Sequence, residues 1–439
     1  MAKKRKDKQL HISYIAGEIH FLEELTALLQ ESGALKAGEV IPVLTMSDLD
    51  RGQMGVAIKN NAVIALSARY CRLASLSASI DQLSGLKYLD LTGNQLTELP
   101  ESLGKLTRLQ KLLLDENQLT QLPEALGKLA ALQELHGNAN QLTELPETLG
   151  QLSGLTTLYA YANQLTSVPE TIDQLSNLKE ISLGHNRLAT LPASFWQLTG
   201  LQALNLAENL FSVLPAEIGN LTALHTLDLG HNQLTELPTT LGQLTNLTFF
   251  LYIHDNRLTS LPESLFAHFN KLRYLNLTDN QLTELPESIG NLVSLKELRL
   301  YNNRLITLPE TLGKLTNLRE LHVMHNALTS LPEAFGKLRQ LREARLANNR
   351  LTTLPVSLGK LADLTHLDLR NNRLMELPQT LHQLKNLLFL DLRANRLITL
   401  PEQVSDLKRL AKLDLRWNKI AVFPEQFARL TERGCTVYI

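Results

Sequence analysis

Residues 86–108 read LKYLDLTGNQLTELPESLGKLTR, and residues 109–131 repeat them as LQKLLLDENQLTQLPEALGKLAA. The shared pattern is L-x-x-L-x-L-x-x-N-x-L-x-x-L-P, and its asparagine recurs at steps of 23 residues, with two steps of 24. A fixed period of this length indicates stacked supersecondary units that share one continuous core. The asparagines are Asn94, Asn117, Asn140, Asn163, Asn186, Asn209, Asn232, Asn256, Asn280, Asn303, Asn326, Asn349, Asn372, Asn395 and Asn418.

Each repeat contains the alternation of a short strand. In the first copy, Leu89 and Leu91 are predicted to point inward, with Tyr88, Asp90 and Thr92 pointing outward. The asparagine follows the strand, where its amide can bond the backbone of its own turn and of the neighbouring turn. The proline suits a bend, and the segment after it predicts one helical or 3₁₀ turn with glycine at its exit.

The two cysteines lie near the ends of the repeat region. Cys71 stands 23 residues before Asn94 in the asparagine position, so we count sixteen repeats and predict a buried thiol. Cys435 is too distant along the stack to pair with it. Without a disulfide or a cysteine-rich cap, the chain is expected in a reducing compartment, the cytoplasm. The sequence contains no run of 18 apolar residues, so we expect no membrane association.

An open stack needs caps, because its ends would expose core leucines and a strand edge. A helix over about residues 18–31 and a hairpin with its turn at Asn60-Asn61 are predicted to cover the first repeat. The expected organisation is residues 1–62 as tail, helix and capping hairpin strand, residues 63–430 as the repeats, and residues 431–439 as a closing strand.

The form LxxLxxLxLxxNxLTxLPxxLGxL resembles the intracellular 23-residue leucine-rich repeat proteins that are common in bacteria and archaea. It is also similar to plant intracellular Ras-group repeats and to the repeat parts of Scribble-like and Roco proteins. The resemblance covers about residues 56–430. It implies an α/β fold: a right-handed horseshoe solenoid with a concave parallel sheet of about 16 short strands. Members of the family bind many different proteins, so the fold does not name the partner.

Motifs for chemistry are missing from the sequence. Each Gly-Lys dipeptide is followed by leucine, whereas a phosphate-binding loop needs serine or threonine there, and this argues against a Roco-type GTPase. Neither H-E-x-x-H nor C-x-x-C occurs. His322 and His325 share a strand end and could pair on a metal, but without a local third ligand an ordinary surface role is favoured. We therefore expect no cofactor, no metal and no catalytic residue.

The outward strand positions align into rows about 4.8 Å apart when the repeats are stacked in register. The middle of the predicted concave face is rich in tyrosine and histidine, which combine contact area with a polar tip. Small residues between Tyr159 and Tyr161 on one side and Tyr252 and His254 on the other predict an open floor. The predicted partner-binding residues are Tyr159, Tyr161, Gly184, His185, Ala207, Gly230, His231, Tyr252, His254, Tyr274, Tyr301, His322, Arg370 and Arg393.

Two irregularities interrupt the pattern. One extra residue in LTFFLYIHDN predicts a β-bulge at Phe249 or Phe250. Gly137 and Ala160 replace the second strand leucine in adjacent repeats and predict a cavity.

Alternating aspartate and arginine rows in the last third are expected to neutralise one another largely, with a basic surplus that could steer an acidic partner.

The sequence therefore predicts a non-enzymatic scaffold that binds a protein on its concave face. The alternative is the substrate-recognition part of an enzyme or effector assembly of the ubiquitin-ligase kind. Nucleic-acid binding is a less favoured alternative, because a net charge of -1 gives no global attraction for nucleic acid and the aspartate rows would repel phosphate. We expect a monomer.

Overall fold

The computed structural model describes residues 16–421 and 427–439. Its chain forms two compact units, Met1–Leu201 and Gln202–Ile439. Most of the predicted amino-terminal tail, residues 1–15, lies outside the described residues.

The first unit opens with helices α1 (Ala16–Glu31) and α2 (Met46–Asp50), then an antiparallel hairpin. Asn60 and Asn61 both have positive φ, which confirms the predicted hairpin turn. From the second hairpin strand onward, neighbouring strands pair in parallel. The strands are β1 (Gly55–Lys59), β2 (Ala62–Ser67), β3 (Tyr88–Asp90), β4 (Lys111–Leu113), β5 (Glu134–His136), β6 (Thr157–Tyr159) and β7 (Glu180–Ser182).

The second unit contains eleven strands in its described part, each parallel to the next. The short helix α3 (Ala428–Glu432) precedes the last strand. The strands are β8 (Ala203–Asn205), β9 (Thr226–Asp228), β10 (Phe250–Tyr252), β11 (Tyr274–Asn276), β12 (Glu297–Arg299), β13 (Glu320–His322), β14 (Glu343–Arg345), β15 (His366–Asp368), β16 (Phe389–Asp391), β17 (Lys412–Asp414) and β18 (Thr436–Tyr438).

The repeated asparagines join consecutive repeats from within, as the sequence predicts. The Asn117 amide donates to the carbonyls of Leu91 and Leu114 at 2.9 and 3.0 Å, and its oxygen accepts from the Leu96 amide at 3.1 Å. The side chain is buried. Each such asparagine satisfies backbone groups that a buried turn would otherwise leave unpaired.

The side of each unit opposite the strands is built from 3₁₀ turns, of which the first follows Ser77 and the others follow prolines. Their glycines do not take the left-handed exit that the sequence suggested. A Cβ on Gly104 would lie 2.4 Å from the Ala125 carbonyl oxygen, so glycine allows consecutive turns to approach closely. The turns are Ala78–Gln82, Glu101–Lys105, Glu124–Lys128, Glu147–Gln151, Glu170–Gln174, Ala193–Gln197, Ala216–Asn220, Thr239–Gln243, Glu287–Asn291, Glu310–Lys314, Glu333–Lys337, Val356–Lys360, Gln379–Gln383 and Glu402–Asp406.

The amino-terminal segments reach beyond the first repeat and cover part of the second, which the sequence did not predict. Tyr88, Asp90 and Thr92, expected on the outward surface, are all buried. Tyr88 belongs to an apolar cluster with Leu49 of α2, so the segment between α1 and β1 covers this part of the sheet. The Glu18 carboxylate of α1 accepts a hydrogen bond from the backbone amide of Val63 in β2, at 3.3 Å.

Candidate functional site

The outward side chains of the second unit form three rows. The first row holds the first residue of each strand, the second row the third residue, and the third row the residue two positions beyond the strand. Parallel pairing without register shifts places equivalent residues side by side. From β10 to β17 the first row reads Phe250, Tyr274, Glu297, Glu320, Glu343, His366, Phe389 and Lys412.

An aromatic cluster occupies the β10–β11 end of these rows, and we define it as Phe249, Phe250, Tyr252, His254 and Tyr274. The Phe250 ring stacks on Tyr252 at 5.6 Å between centroids and meets the edge of Tyr274 at 5.8 Å. Phe249 and Phe250 are nevertheless 48% and 41% exposed. Two adjacent exposed phenylalanines are an apolar surface that packing within the chain does not account for.

The extra residue of this repeat lies at Phe249, one of the two positions at which the sequence predicts a β-bulge. Phe250 pairs in register with both Thr226 and Tyr274. The regular 23-residue register continues through Phe249, whose amide donates to the His225 carbonyl at 3.2 Å, and it shifts by one residue at Phe250. This shift leaves Phe249 projecting beside the strand. The phenylalanines were not among the predicted contact residues, although the irregular spacing at FF marks them.

The predicted open floor is covered at Gly230. A Cβ on Gly230 would lie 2.3 Å from Cε1 of His254, so the His254 imidazole rests over this glycine. That ring meets the edge of His231 at 4.7 Å, and His231 Nδ1 lies 2.5 Å from the Asp255 carboxylate. Burial lowers the pKa of His254 and raises the pKa of the nearby Asp228 carboxyl. Ala207, a further floor residue, is buried in the third row.

Three glutamates follow the cluster along the first row. Glu297 binds Arg299 Nε at 2.5 Å, and Glu343 binds Arg345 in the same way. Glu320 instead contacts His322 Nε2 at 3.3 Å. The two arginines thus offset the charge of two of the three glutamates, and the third glutamate pairs with a histidine.

The two candidate metal histidines lie in different surroundings. The described residues contain one group of potential ligands, Glu297, Glu320 and His322, whose ligand atoms lie within 4.8 Å of one another. His325 is outside that group and bonds Asn348 at 3.1 Å. The structure therefore does not bring His322 and His325 together as ligands of one metal.

A pocket of about 290 Å³ opens over β14 to β17. It is lined by the stacked rings of His366 and Phe389, whose centroids are 4.6 Å apart, with Lys412 at its far end. Phe389 is 40% exposed. The pocket therefore presents an aromatic surface surrounded by charged side chains.

Aspartates of the second row neutralise arginines of the third row beside this pocket. Arg370 contacts Asp368 at 3.3 Å, and Arg393 contacts Asp391 at 2.5 Å. The bond to Asp391 raises the pKa of Arg393. These local pairs confirm that the two rows largely neutralise one another, and the basic surplus expected to steer an acidic partner stays a prediction.

Four predicted contact residues belong to the first unit. Tyr159 packs on His136 at 4.7 Å and donates to Glu180 at 2.5 Å. Burial, helped by this hydrogen bond, raises the pKa of Tyr159 to about 12. Tyr161 packs against exposed His185 with ring centroids 5.8 Å apart, while Gly184 is buried. The floor that would join Gly184 to residues of the second unit stays a prediction.

The remaining predicted residue, Tyr301, is half-buried in the third row beyond β12.

Neither cysteine offers an exposed, reactive thiol. Cys71 is buried as predicted, and burial raises its pKa to about 11. Burial also raises the pKa of Cys435. A thiolate nucleophile is disfavoured at both positions near neutral pH.

No helix among the described residues combines the length and apolar character needed to cross a bilayer.

Comparison with known proteins identifies related sequences and structures. The family described as leucine-rich repeat region matches residues 192–270 and 263–345, and the family described as leucine rich repeat matches residues 66–119, 155–211 and 364–420. A search of curated proteins gives no match.

Among solved structures, a leucine-rich repeat protein of Leptospira interrogans shares 36% identity, with coverage of 91% of this chain and 100% of that chain and a TM-score of 0.77. Toll of Drosophila, in complex with Spatzle, shares 25% identity, with coverage of 82% and 52% and a TM-score of 0.69. The GASSHO1/SCHENGEN3 ectodomain of Arabidopsis thaliana, in complex with CASPARIAN STRIP INTEGRITY FACTOR 2, shares 27% identity, with coverage of 97% and 61% and a TM-score of 0.51.

Proposed function

The chain belongs to the leucine-rich repeat family, and we propose that it binds a protein partner on the outward face of its sheet. Leucine-rich repeat proteins are in general non-enzymatic interaction scaffolds. The related Toll and GASSHO1 chains were each solved with a bound partner, which supports the same kind of role here.

The exposed aromatic cluster is the observation that carries the proposal. Its rings hold one another in place, so little side-chain entropy remains to be lost on binding. Tyrosine is enriched among residues that dominate interface energies. We assign the centre of the contact to Phe250, Tyr252 and Tyr274, with Tyr301 and the paired arginines Arg370 and Arg393 at its margin.

We further propose that the chain acts without catalysis, as a monomer, in the cytoplasm. The division into a cap of residues 1–62, repeats over 63–430 and a closing strand over 431–439 is part of the same proposal. A role as the recognition part of an effector assembly would use the same face, because it too requires binding of a protein. Nucleic acid is a poorer ligand, since the aspartates of the second row would repel phosphates.

Capture of partners from native lysate tests the proposal through matched variants. Phe250→Ser and Tyr252→Ala remove rings from the outward face, whereas Val356→Ser removes an apolar side chain that is 63% exposed on a 3₁₀ turn. A specifically captured protein should be lost with the first two variants and kept with the third, at equal melting temperatures. Loss with Val356→Ser alone would place binding on the turns and overturn the proposal.

A further inference from the structure

The first row of the second unit has a symmetrical chemical order. Two aromatic residues, three glutamates and two further rings follow one another on successive strands. We call this row segment the aromatic–acidic stripe. Its members are Phe250, Tyr274, Glu297, Glu320, Glu343, His366 and Phe389.

Both ends of the stripe can receive an apolar side chain. Phe250 and Phe389 are 41% and 40% exposed, although each packs against a ring on the adjacent strand. The pocket of about 290 Å³ beside Phe389 gives the second end depth. Burying such rings under a partner removes apolar surface from water without disturbing the core.

The centre of the stripe can receive a cation. Arg299 engages one oxygen of Glu297 through Nε, and Arg345 does the same at Glu343. A carboxylate has about four acceptor sites, so these bonds leave capacity for another donor. Glu320, paired with His322, lies between them, and the groups of Glu297, Glu320 and His322 converge to within 4.8 Å.

We propose that the stripe binds a basic segment of a partner protein, with an apolar residue at each end and a lysine or arginine over Glu320. This inference rests on the proposed function and specifies the chemistry of its partner. Adjacent strands lie about 4.8 Å apart, so the midpoints of the two aromatic pairs are separated by about 24 Å. An extended segment rises about 3.3 Å per residue and therefore spans the two ends with about seven residues.

Selection from a random twelve-residue peptide library displayed on phage, with the full chain immobilised, tests the inference. The enriched peptides should carry two apolar residues about seven positions apart with basic residues between them. Binding of a selected peptide, measured by fluorescence anisotropy, should weaken about fivefold with Glu320→Gln and at least about tenfold with Phe250→Ser or Phe389→Ser. Glu284→Gln, an equal charge change away from the strands, should leave the Kd unchanged.

Acidic or neutral consensus peptides, an empty selection, or binding indifferent to Glu320→Gln would each overturn the inference. Titration with Zn²⁺ alone provides a separate arm. Micromolar Zn²⁺ affinity that is lost with Glu320→Gln would make the converging groups a metal site instead. An acidic consensus that still depends on Phe250 would reject the basic segment while leaving the proposed function intact. A lysate partner insensitive to all outward-face variants would reject the proposed function itself.

Discussion

Gly137→Ala should stabilise the protein, because the fold leaves room for a methyl group at this core position. Gly137 takes the place of a strand leucine and is buried, with φ outside the left-handed region. A Cβ here would lie 3.7 Å from Leu142 Cδ1 and 3.8 Å from the Tyr159 carbonyl oxygen, which are ordinary contacts. Burial of a methyl group contributes about 0.8 kcal/mol, and the smaller chain entropy of the unfolded state about 0.4–1 kcal/mol.

The expected gain of about 1.5 kcal/mol corresponds to a rise in Tm of about 3–6 °C for a cooperative unit of about 200 residues. Differential scanning calorimetry measures it directly. Gly127→Ala is the matched control in the same unit, because its Cβ would lie 2.5 Å from the Thr148 carbonyl oxygen and Tm should fall. A fall in Tm with Gly137→Ala as large as that with Gly127→Ala would refute the argument that space is present.

Three further predictions concern the repeated asparagines, the amino-terminal cap and Cys71. Asn117→Ala should lower the free energy of unfolding in urea by about 3 kcal/mol, because the Leu96 amide and two carbonyls lose their partner; a loss below about 1 kcal/mol would contradict this role. Burial raises the pKa of Glu18 above its ordinary 4.5, so the stability from its protonated form is present below about pH 4.5 and is lost as pH rises through the folded-state value. The free energy of unfolding of Glu18→Gln should therefore rise relative to that of the wild type between about pH 4.5 and pH 7. If unfolding free energy plotted against pH runs parallel for the two proteins, the burial argument is contradicted. The Cys71 thiol, with its pKa raised to about 11, should react with a maleimide far more slowly in the native protein than in urea, and equal rates would show that it is accessible.

The repeating part of the fold could be predicted from the sequence for a physical reason. Leucines at fixed spacing can be buried only by stacking, and each asparagine supplies the bonds that its turn requires. The same regularity predicted which residues share a row, as the pairing of Tyr274 with Glu297 shows. Where a segment has no repeated neighbour, as between α1 and β1, the pattern could not reveal that it would cover Tyr88.

The repeat pattern could not predict side-chain contacts between neighbouring members of one row either. Repeat spacing places Gly230 and His254 on adjacent strands, but the side-chain torsions of His254 decide that its ring covers the glycine. The extra residue located the irregularity at Phe249 or Phe250, but the spacing could not show which of the two positions holds it. The structure puts it before the strand, and this position exposes Phe249.

Hydroxyl-radical footprinting of the chain with a captured partner tests the central claim most directly, because aromatic side chains report their own coverage. We predict reduced oxidation of Phe250, Tyr252 and Tyr274 in the complex. Val293 and Val356, which are 44% and 63% exposed away from the strands, should be oxidised equally with and without the partner. Protection of the two valines with unchanged oxidation of the three aromatic residues would contradict binding on the outward face.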